Sequence, residues 1–355
     1  MALTNPTICV TISSSCERIT QQKTPALPWR AAPGRQKIQA VKPESLLDTR
    51  ILRRTGRNAK GWFPVSNRMS IEKRNTILRL LVEGNSIRSV CRLMGTNIPS
   101  VLRQLDWAGK HCAALLERTL SGLELRHVEC DEIWTFVQKK QSRLTVDERA
   151  ERSDIGDAYL FTAQDQDTRL IAAHVLGKRS ADNARKFMVQ LAGRLAPIAT
   201  PHASDAHLYA AGGYRPIIQI STDGFPAYPE AVDLAFGPYA KFGTIIKEYK
   251  NATMTYTPSE MVGTERRAVY GMQESELGTI CTSHVERNNL TIRTFMKRYT
   301  RLALGFSKMW ENLEAAVNLH VAYFNFCWRP GAMRITPAMA AGITPRLWTF
   351  NDLLA

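Results

Sequence analysis

The stretch Val128-Glu129-Cys130-Asp131-Glu132-Ile133-Trp134 decides how the last two thirds of this chain should be understood. It lies in a segment, His127–Val137, that reads as a β-strand with Glu129, Asp131 and Ile133 on one face. Burying a charge such as that of Asp131 in an apolar strand is costly unless the charge is paired or bound to a metal ion. Asp131 is therefore a candidate metal ligand, and the alternative is an ion pair with a buried arginine.

The segments that follow alternate between strand and helix patterns, which predicts an α/β fold with a mixed sheet and helices on both faces. Predicted strands cover 127–137, 159–163, 170–175, 217–221 and 244–248. Predicted helices cover 184–195 and 228–234, one starting near 283, and one from about 307 to 326. Residues 250–282 are polar and are predicted to be irregular.

Two further carboxylates stand where such folds place functional groups. Asp223 follows the buried strand 217–221 directly, and open α/β sheets bind ligands at the C-terminal ends of their strands. Glu286 lies in the first turn of the helix that opens at Ser283. The alternatives are an Asx-turn or cap for Asp223 and a simple helix-dipole preference for Glu286. The polar residues near the stripe of Glu286 are Asn289, Arg293 and Lys297.

Taken together, Asp131, Asp223 and Glu286 can hold two Mg²⁺ ions, with Mn²⁺ as a substitute, because hard oxygen ligands suit these metals. Two such ions serve phosphoryl transfer. The three carboxyl groups are therefore predicted to converge. The seven cysteines are scattered without a CxxC pair, so no disulfide framework and no cysteine–histidine zinc cluster is predicted.

The basic charge of the chain is concentrated near its start. The net charge is +15, and residues 1–110 hold 19 Lys and Arg against 6 Asp and Glu. Such a segment is typical of a protein that binds nucleic acid or an acidic membrane surface. No apolar run reaches the roughly 18 residues of a membrane span, and no signal peptide is recognised. The cysteine usage indicates a reducing cytoplasm.

Residues 69–110 are predicted to form a helix-turn-helix domain of three short helices. Ser70, Ser86 and Asn97 each precede a helical apolar pattern, and Gly95-Thr96 makes the tight turn before the third helix. A small bundle without DNA is the alternative, and the local basic charge favours DNA. The candidate DNA-binding residues of this domain are Arg88 and Arg92 on the second helix and Ser100, Arg103 and Gln104 on the third. Asn289, Arg293 and Lys297, beside the predicted carboxylate cluster, are further candidate DNA-binding residues.

The two ends of the chain carry weaker signals. Residues 1–68 are basic, lack apolar periodicity and are predicted to be disordered. They are either an arm that touches phosphates or a dispensable tail, with Met69 as an alternative start. Residues 331–355 form a C-terminal tail after the predicted catalytic domain, 125–330.

Three segments resemble the DDE transposases of bacterial insertion sequences, and most of all the IS-one family. They are Cys130-Asp131-Glu132-Ile133-Trp134, Ser221-Thr222-Asp223-Gly224-Phe225-Pro226-Ala227-Tyr228 and His284-Val285-Glu286-Arg287-Asn288-Asn289-Leu290-Thr291-Ile292-Arg293. The segment Ile335–Thr344 is similar to the tail of such enzymes. The resemblance covers about 70–350, and the glutamate segment is its most specific part.

The resemblance implies an RNase H-like catalytic domain that binds Mg²⁺ through Asp131, Asp223 and Glu286, with Arg293 as the accompanying basic residue. It implies cleavage and strand transfer at the terminal inverted repeats of an insertion sequence, a homo-oligomer on double-stranded DNA, and a place on the bacterial nucleoid. The chain departs from the family in lacking a cysteine zinc motif and in the 63 residues between Asp223 and Glu286, which predicts an insertion at 250–282.

Two other functions stay open from the sequence. One is a DNA-binding regulator whose RNase H-like domain is catalytically dead, which would bind DNA without cutting it. The other is an RNase H-like nuclease that cuts without joining.

Overall fold

A computed structural model describes residues 69–196, 218–250, 260–331 and 333–355 of the chain. The predictions made for residues 1–68, for the first residue of the strand at 217 and for 251–259 lie outside the described residues.

Three helices open the described chain, as the capping pattern predicts. They are α1 (Ile71–Val82), α2 (Ile87–Met94) and α3 (Ile98–Thr119). The side chains of Ser70, Ser86 and Asn97 each accept a hydrogen bond from the backbone N–H three residues further on, which satisfies a free donor of the first turn. Gly95 ends α2 with a φ of 54°, a left-handed conformation that glycine adopts at little cost.

Six strands of the described chain form one mixed sheet. They are β1 (His127–Val137), β2 (Gly156–Asp165), β3 (Ile171–Gly177), β4 (Ile218–Asp223), β5 (Ala240–Lys250) and β6 (Glu260–Tyr270). Their order is β3-β2-β1-β4-β5-β6. The first three strands pair antiparallel, β4 runs parallel to β1, and β5 runs parallel to β4. An antiparallel meander continued by two parallel strands on the side of β1 is the RNase H-like arrangement, and β6 adds an antiparallel edge strand.

The prediction of irregular structure over 250–282 was wrong for much of this segment. β6 pairs with β5 along most of its length, and Glu274–Thr279 is a 3₁₀-helix. Most β6 side chains are exposed because β6 is the edge strand of the sheet. Its polar, charged composition is a common protection of exposed edges, and in the sequence it is easily mistaken for a loop.

The four helices predicted after the strands are present in the described chain, and shorter helices that were not predicted accompany them. They are α4 (Val146–Glu151), α5 (Ala181–Arg194), α6 (Tyr228–Phe236), α7 (Ser283–Phe295), α8 (Trp310–Phe326), α9 (Pro337–Ala340) and α10 (Phe350–Leu353). α5 packs on α6 and β3, whereas α7 packs on β1 and β2. In the tail, Trp348 stacks on Phe326 of α8 with ring centroids 4.5 Å apart. None of the described helices combines the length and the apolar character that crossing a membrane requires.

The long helix α3 joins the first three helices to the rest of the described fold. It runs past residue 110, the end predicted for a separate helix-turn-helix domain, and its second half packs along α8. At the crossing Gly109 lies so close to Ala315 that an added Cβ would come within 2.3 Å of the Ala315 Cα. The helices α1–α3 therefore belong to the same compact unit as the sheet, and the predicted domain boundaries stay predictions.

The α3–α8 crossing can be tested with two alanine substitutions of opposite expected sign. Gly109→Ala should lower the free energy of unfolding by about 1–3 kcal/mol, because the methyl group overlaps backbone that cannot move freely. Gly193→Ala, on an exposed part of α5 with open space at the Cβ position, should raise it by up to about 1 kcal/mol. Urea unfolding measures both, and equal effects would contradict the close crossing.

Candidate active site and nucleic-acid interface

A cleft of about 650 Å³ lies where β1 and β4 part. Acidic side chains from the sheet and from α7 line it together with several basic side chains. The lining residues are Asp131, Glu132, Arg179, Asp223, Gly224, Ile245, Ile246, Lys247, Thr282, Glu286, Asn289, Arg293 and Arg301. The cleft therefore contains all three carboxylates that the sequence singled out.

Asp131 and Asp223 meet because of the way β4 ends. β4 pairs with β1 only as far as Thr222 opposite Cys130, and Asp223 is the last residue of β4 rather than the first after it. Oxygen atoms of Asp131, Glu132 and Asp223 lie within 4.8 Å of one another. Sequence reasoning missed Glu132, because alternation along a strand places it on the face opposite to Asp131. Past the end of β4 the edge of β1 is open, and carboxylates from both faces can approach Asp223.

Asp131 is held by one neighbour from α7 and one from its own strand. Asn289 donates a hydrogen bond from Nδ2 to Oδ2 of Asp131 at 2.7 Å, and the Glu132 backbone N–H donates to Oδ1 at 2.8 Å. Burial, followed by the charge of Asp223, raises the pKa of Asp131 to about 7. The described fold thus confines a carboxylate where a negative charge is disfavoured, and a bound cation would relieve this.

Glu132 is nearly enclosed, with 3% of its side chain exposed. Its Oε2 accepts a hydrogen bond from Arg179 Nε at 3.3 Å, and the buried Tyr228 hydroxyl contributes a further hydrogen bond to this carboxylate. Burial, followed by the charge of Asp223, raises the pKa of Glu132 to about 7. Arg179 also lies 3.7 Å from Asp223 and stacks over the Phe225 ring. A buried carboxylate with a raised pKa beside two aspartates belongs to a donor set that fits a hard divalent cation.

Glu286 lines the same cleft but is engaged by cationic and hydroxyl groups. Its carboxylate pairs with Lys247 of β5 and accepts a hydrogen bond from Thr282 Oγ1 at 2.6 Å. Its charge is close enough to contribute to the raised pKa of Asp131. The structure therefore brings Asp131 and Asp223 within reach of one ion and leaves Glu286 at the cleft wall, held by Lys247.

The position of α7 is set by a second buried carboxylate of β1. Glu129, 1% exposed, accepts hydrogen bonds at Oε2 from the backbone N–H groups of His284 and Val285, at 2.8 and 3.0 Å. Its Oε1 lies 2.5 Å from His284 Nδ1. The Thr282 side chain does not cap the helix, so Glu129 supplies the cap from the sheet. Two acidic residues two positions apart in a buried strand were the sequence signal for this role.

The same corner brings a cysteine and a histidine together, which scattered sequence positions did not predict. One ligand-type atom each from Glu129, Cys281 and His284 lies within 4.8 Å of the others. The Cys281 Sγ also lies 3.0 Å from the Ser283 hydroxyl oxygen. Since Glu129 already accepts from two backbone amides, this corner of the described structure works as a helix cap.

The three polar residues predicted near Glu286 have different surroundings in the structure. Arg293 lines the cleft and is half-buried, and Lys297 follows α7 in a short 3₁₀-helix, Lys297–Tyr299. Asn289 is buried against Asp131 rather than open to solvent. Arg301 also lines the cleft, although the sequence did not single it out.

The candidate DNA-binding residues of the first three helices lie largely at the surface. Arg88 and Arg92 of α2 and Arg103 of α3 are exposed, whereas Ser100 and Gln104 are half-buried. Arg103 Nη2 donates to Ser100 Oγ at 3.2 Å, close to the N-terminal end of α3. This arrangement leaves three guanidinium groups available around the turn at Gly95.

Similarity to known proteins is found for the structure of the chain and not for its sequence. No family model and no curated protein matches the chain. The structure of a Mos1 transposase paired-end complex with left transposon end matches at 13% sequence identity and a TM-score of 0.18. The match covers 50% of this chain, and the chain spans 60% of the length of that one. The RNase H-like assignment accordingly rests on the order and directions of the strands.

The crowded carboxylates should make stability depend on pH. The folded protein holds a proton on Asp131 up to about pH 7, whereas an ordinary aspartate loses it near 3.8. In EDTA, stability should be greatest at the lower pH and should fall by about 2–4 kcal/mol as the pH rises through 7, since one pKa unit is worth about 1.4 kcal/mol. Urea unfolding at several pH values measures this. Asp131→Asn should flatten the curve, and a wild-type curve that rises with pH would contradict it.

The Glu129 cap gives a second prediction. Glu129→Met keeps the side-chain volume but leaves two helix amides without an acceptor, so the free energy of unfolding should fall by roughly 2–5 kcal/mol. Glu129→Gln, which retains one acceptor oxygen, should lose less. Glu124→Met, at an exposed position, is the matched control and should change stability by at most about 0.5 kcal/mol. Equal losses for Glu129→Met and Glu124→Met would show that α7 is held by other contacts.

Proposed function

We propose that this chain is a DDE transposase of a bacterial insertion sequence, most like the IS-one family. It would cleave DNA at the terminal inverted repeats of its element and transfer the freed strand to target DNA. The observation that carries the proposal is the meeting of Asp131 and Asp223 at the end of β4, in a cleft that Glu286 also lines.

The described cleft fits divalent metal ions. Asp131, Asp223 and Glu286 would hold two Mg²⁺ ions, or Mn²⁺ in their place, and Glu132 would complete the set from the other face of β1. The raised pKa values of Asp131 and Glu132 support this, because both reflect negative charge that the described surroundings compensate only in part. When bound, the ions would activate the attacking oxygen and stabilise the leaving one.

The other cleft residues have roles that their contacts suggest. Asn289 orients Asp131 through a 2.7 Å hydrogen bond, and Lys247 holds Glu286 in the absence of metal. Arg293 and Arg301 offer cationic groups at the cleft for the phosphates beside the scissile bond. No covalent bond between protein and DNA is required, so no serine or tyrosine nucleophile is proposed.

The first three helices are proposed to bind the element ends in the major groove. α2, the turn at Gly95 and α3 have the order of a helix-turn-helix, with Arg88, Arg92, Ser100, Arg103 and Gln104 as the contacting residues. A homo-oligomer would hold both ends at once, acting in the cytoplasm on the nucleoid. Because α3 packs along α8, the bound DNA would be held against the same compact unit that contains the catalytic sheet.

A cleavage and joining assay tests the proposal. Labelled DNA carrying the element's own ends is incubated with Mg²⁺ and the full chain, beside Glu286→Gln, Asp131→Asn and Asp223→Asn. Each variant should lose at least about a hundredfold in cleavage while retaining DNA binding, because even residues behind metal ligands are worth about 10- to 100-fold. Glu265→Gln, in an exposed ion pair with Arg267, is the matched control and should cut normally.

Three other outcomes have distinct meanings. Binding without cleavage by wild type would favour the catalytically dead regulator. Cleavage without joining would favour the nuclease. Equal cleavage by wild type and Glu286→Gln would remove Glu286 from the site, and parallel loss in Glu132→Gln would then assign the third carboxylate to Glu132.

A further inference from the structure

The loop between α7 and α8 carries two leucines that nothing in the described chain covers. Leu302 and Leu304 expose 109% and 97% of their reference areas, well above the next most exposed large apolar residue, Val146 at 81%. Leu302 also has a φ of 54°, a left-handed conformation that is rare for a branched side chain. Residues 302–304 are named the leucine tip below.

The chain is tied down on both sides of the leucine tip. Before it, Thr300 Oγ1 donates to the Arg293 carbonyl oxygen at 2.8 Å. After it, Gly305 packs against the backbone of Lys297. A Cβ added at Gly305 would come within 2.6 Å of the Lys297 carbonyl oxygen. Phe306 then stacks on Phe136 of β1 at 4.7 Å. The two leucines are thus presented to solvent by a fixed base.

The same base is bound to the strand that carries the acidic cluster. The Ser307 carbonyl oxygen accepts a hydrogen bond from the Gln138 N–H at 2.8 Å, directly beyond the end of β1. Thr135 Oγ1, within β1, donates to the Arg298 carbonyl oxygen at 2.7 Å. The leucine tip therefore has a fixed position relative to Asp131.

The charges around the leucine tip favour nucleic acid as its partner. Residues 297–310 contain four basic and no acidic residues, and one of the four, Arg298, is half-buried and donates from Nε to Ser307 Oγ at 2.8 Å. Arg301, adjacent to the tip, lines the carboxylate cleft, and Lys308 beyond it is exposed. Phosphates would bind the cations, while two exposed leucines match the faces of unstacked bases, which proteins reach by inserting apolar side chains between base steps.

We propose that the leucine tip inserts between base pairs of the DNA in the cleft and unstacks the pairs beside the scissile phosphate. The inference rests on the proposed function, because it assumes that the cleft takes DNA. Unstacking would let the strand bend towards Asp131 and Asp223, which a straight duplex would reach less easily. Its cost would be offset by the contacts that the bent DNA makes with the basic loop.

The experiment uses the full chain, its own element-end duplex and the double variant Leu302→Ser/Leu304→Ser. Both side chains are exposed, so the double variant should fold normally. Leu234→Ser, at an exposed position of α6, is the matched control. The base analogue 2-aminopurine, placed in turn at each pair flanking the scissile phosphate, reports unstacking in Ca²⁺, and anisotropy reports binding. Cleavage in Mg²⁺ is measured on this duplex and on one with three mismatched pairs at the same place.

Wild type and Leu234→Ser should raise the 2-aminopurine fluorescence severalfold, and the double variant should not, although its affinity should stay within about threefold. The double variant should cleave the paired duplex about tenfold or more slowly and recover on the mismatched one, where unstacking is already done. Recovery is the readout that a merely structural loop would not give.

Other results would overturn the inference. Wild-type cleavage rates for the double variant on both duplexes would leave the proposed function intact and remove the leucine tip from it. Absence of cleavage by wild type on both duplexes would reject the proposed function. The fluorescence comparison would still show whether the leucine tip unstacks bases. A change in self-association of the double variant, with unchanged fluorescence, would assign the leucines to an interface between copies.

Discussion

The described fold depends on one buried carboxylate, that of Glu129, which binds the first-turn amides of α7. A buried carboxylate is tolerated only where donors satisfy it, and the N-terminus of a helix offers free N–H groups together with a favourable dipole. The bond fixes α7 against β1 two residues before Asp131. As a result Asn289 reaches Asp131, and Glu286 and Arg293 face the same cleft. The cap is structural, yet it determines the geometry of the candidate site.

The cleft gathers more negative charge than its surroundings can easily accommodate. Asp131 and Glu132 both have raised pKa values, caused first by burial and then by the neighbouring charge of Asp223. Arg179 and Lys247 relieve part of this strain by pairing with Asp223 and Glu286. Such crowding costs stability and is typical of a site built for a divalent cation.

The described elements connect three surfaces to one another: the basic helices α2 and α3, the carboxylate cleft and the leucine tip. α3 spans from the basic helices to α8, and the loop before α8 is bonded to the end of β1. A ligand that touches the turn at Gly95, the cleft and the leucine tip would therefore contact parts of one compact unit.

The sequence by itself determined the strand at 127–137, the caps of the first three helices and the candidates Asp131, Asp223 and Glu286, because alternation, helical periodicity and capping are local patterns. It missed β6, whose exposed edge has the composition of a loop. It also missed Glu132, since alternation assigns that residue to the other face of β1, and only the departure of β4 after Thr222 opens both faces to Asp223. The pairings of Glu129 with α7 and of Glu286 with Lys247 were decided by tertiary structure alone, because they join residues more than thirty positions apart that no local pattern relates.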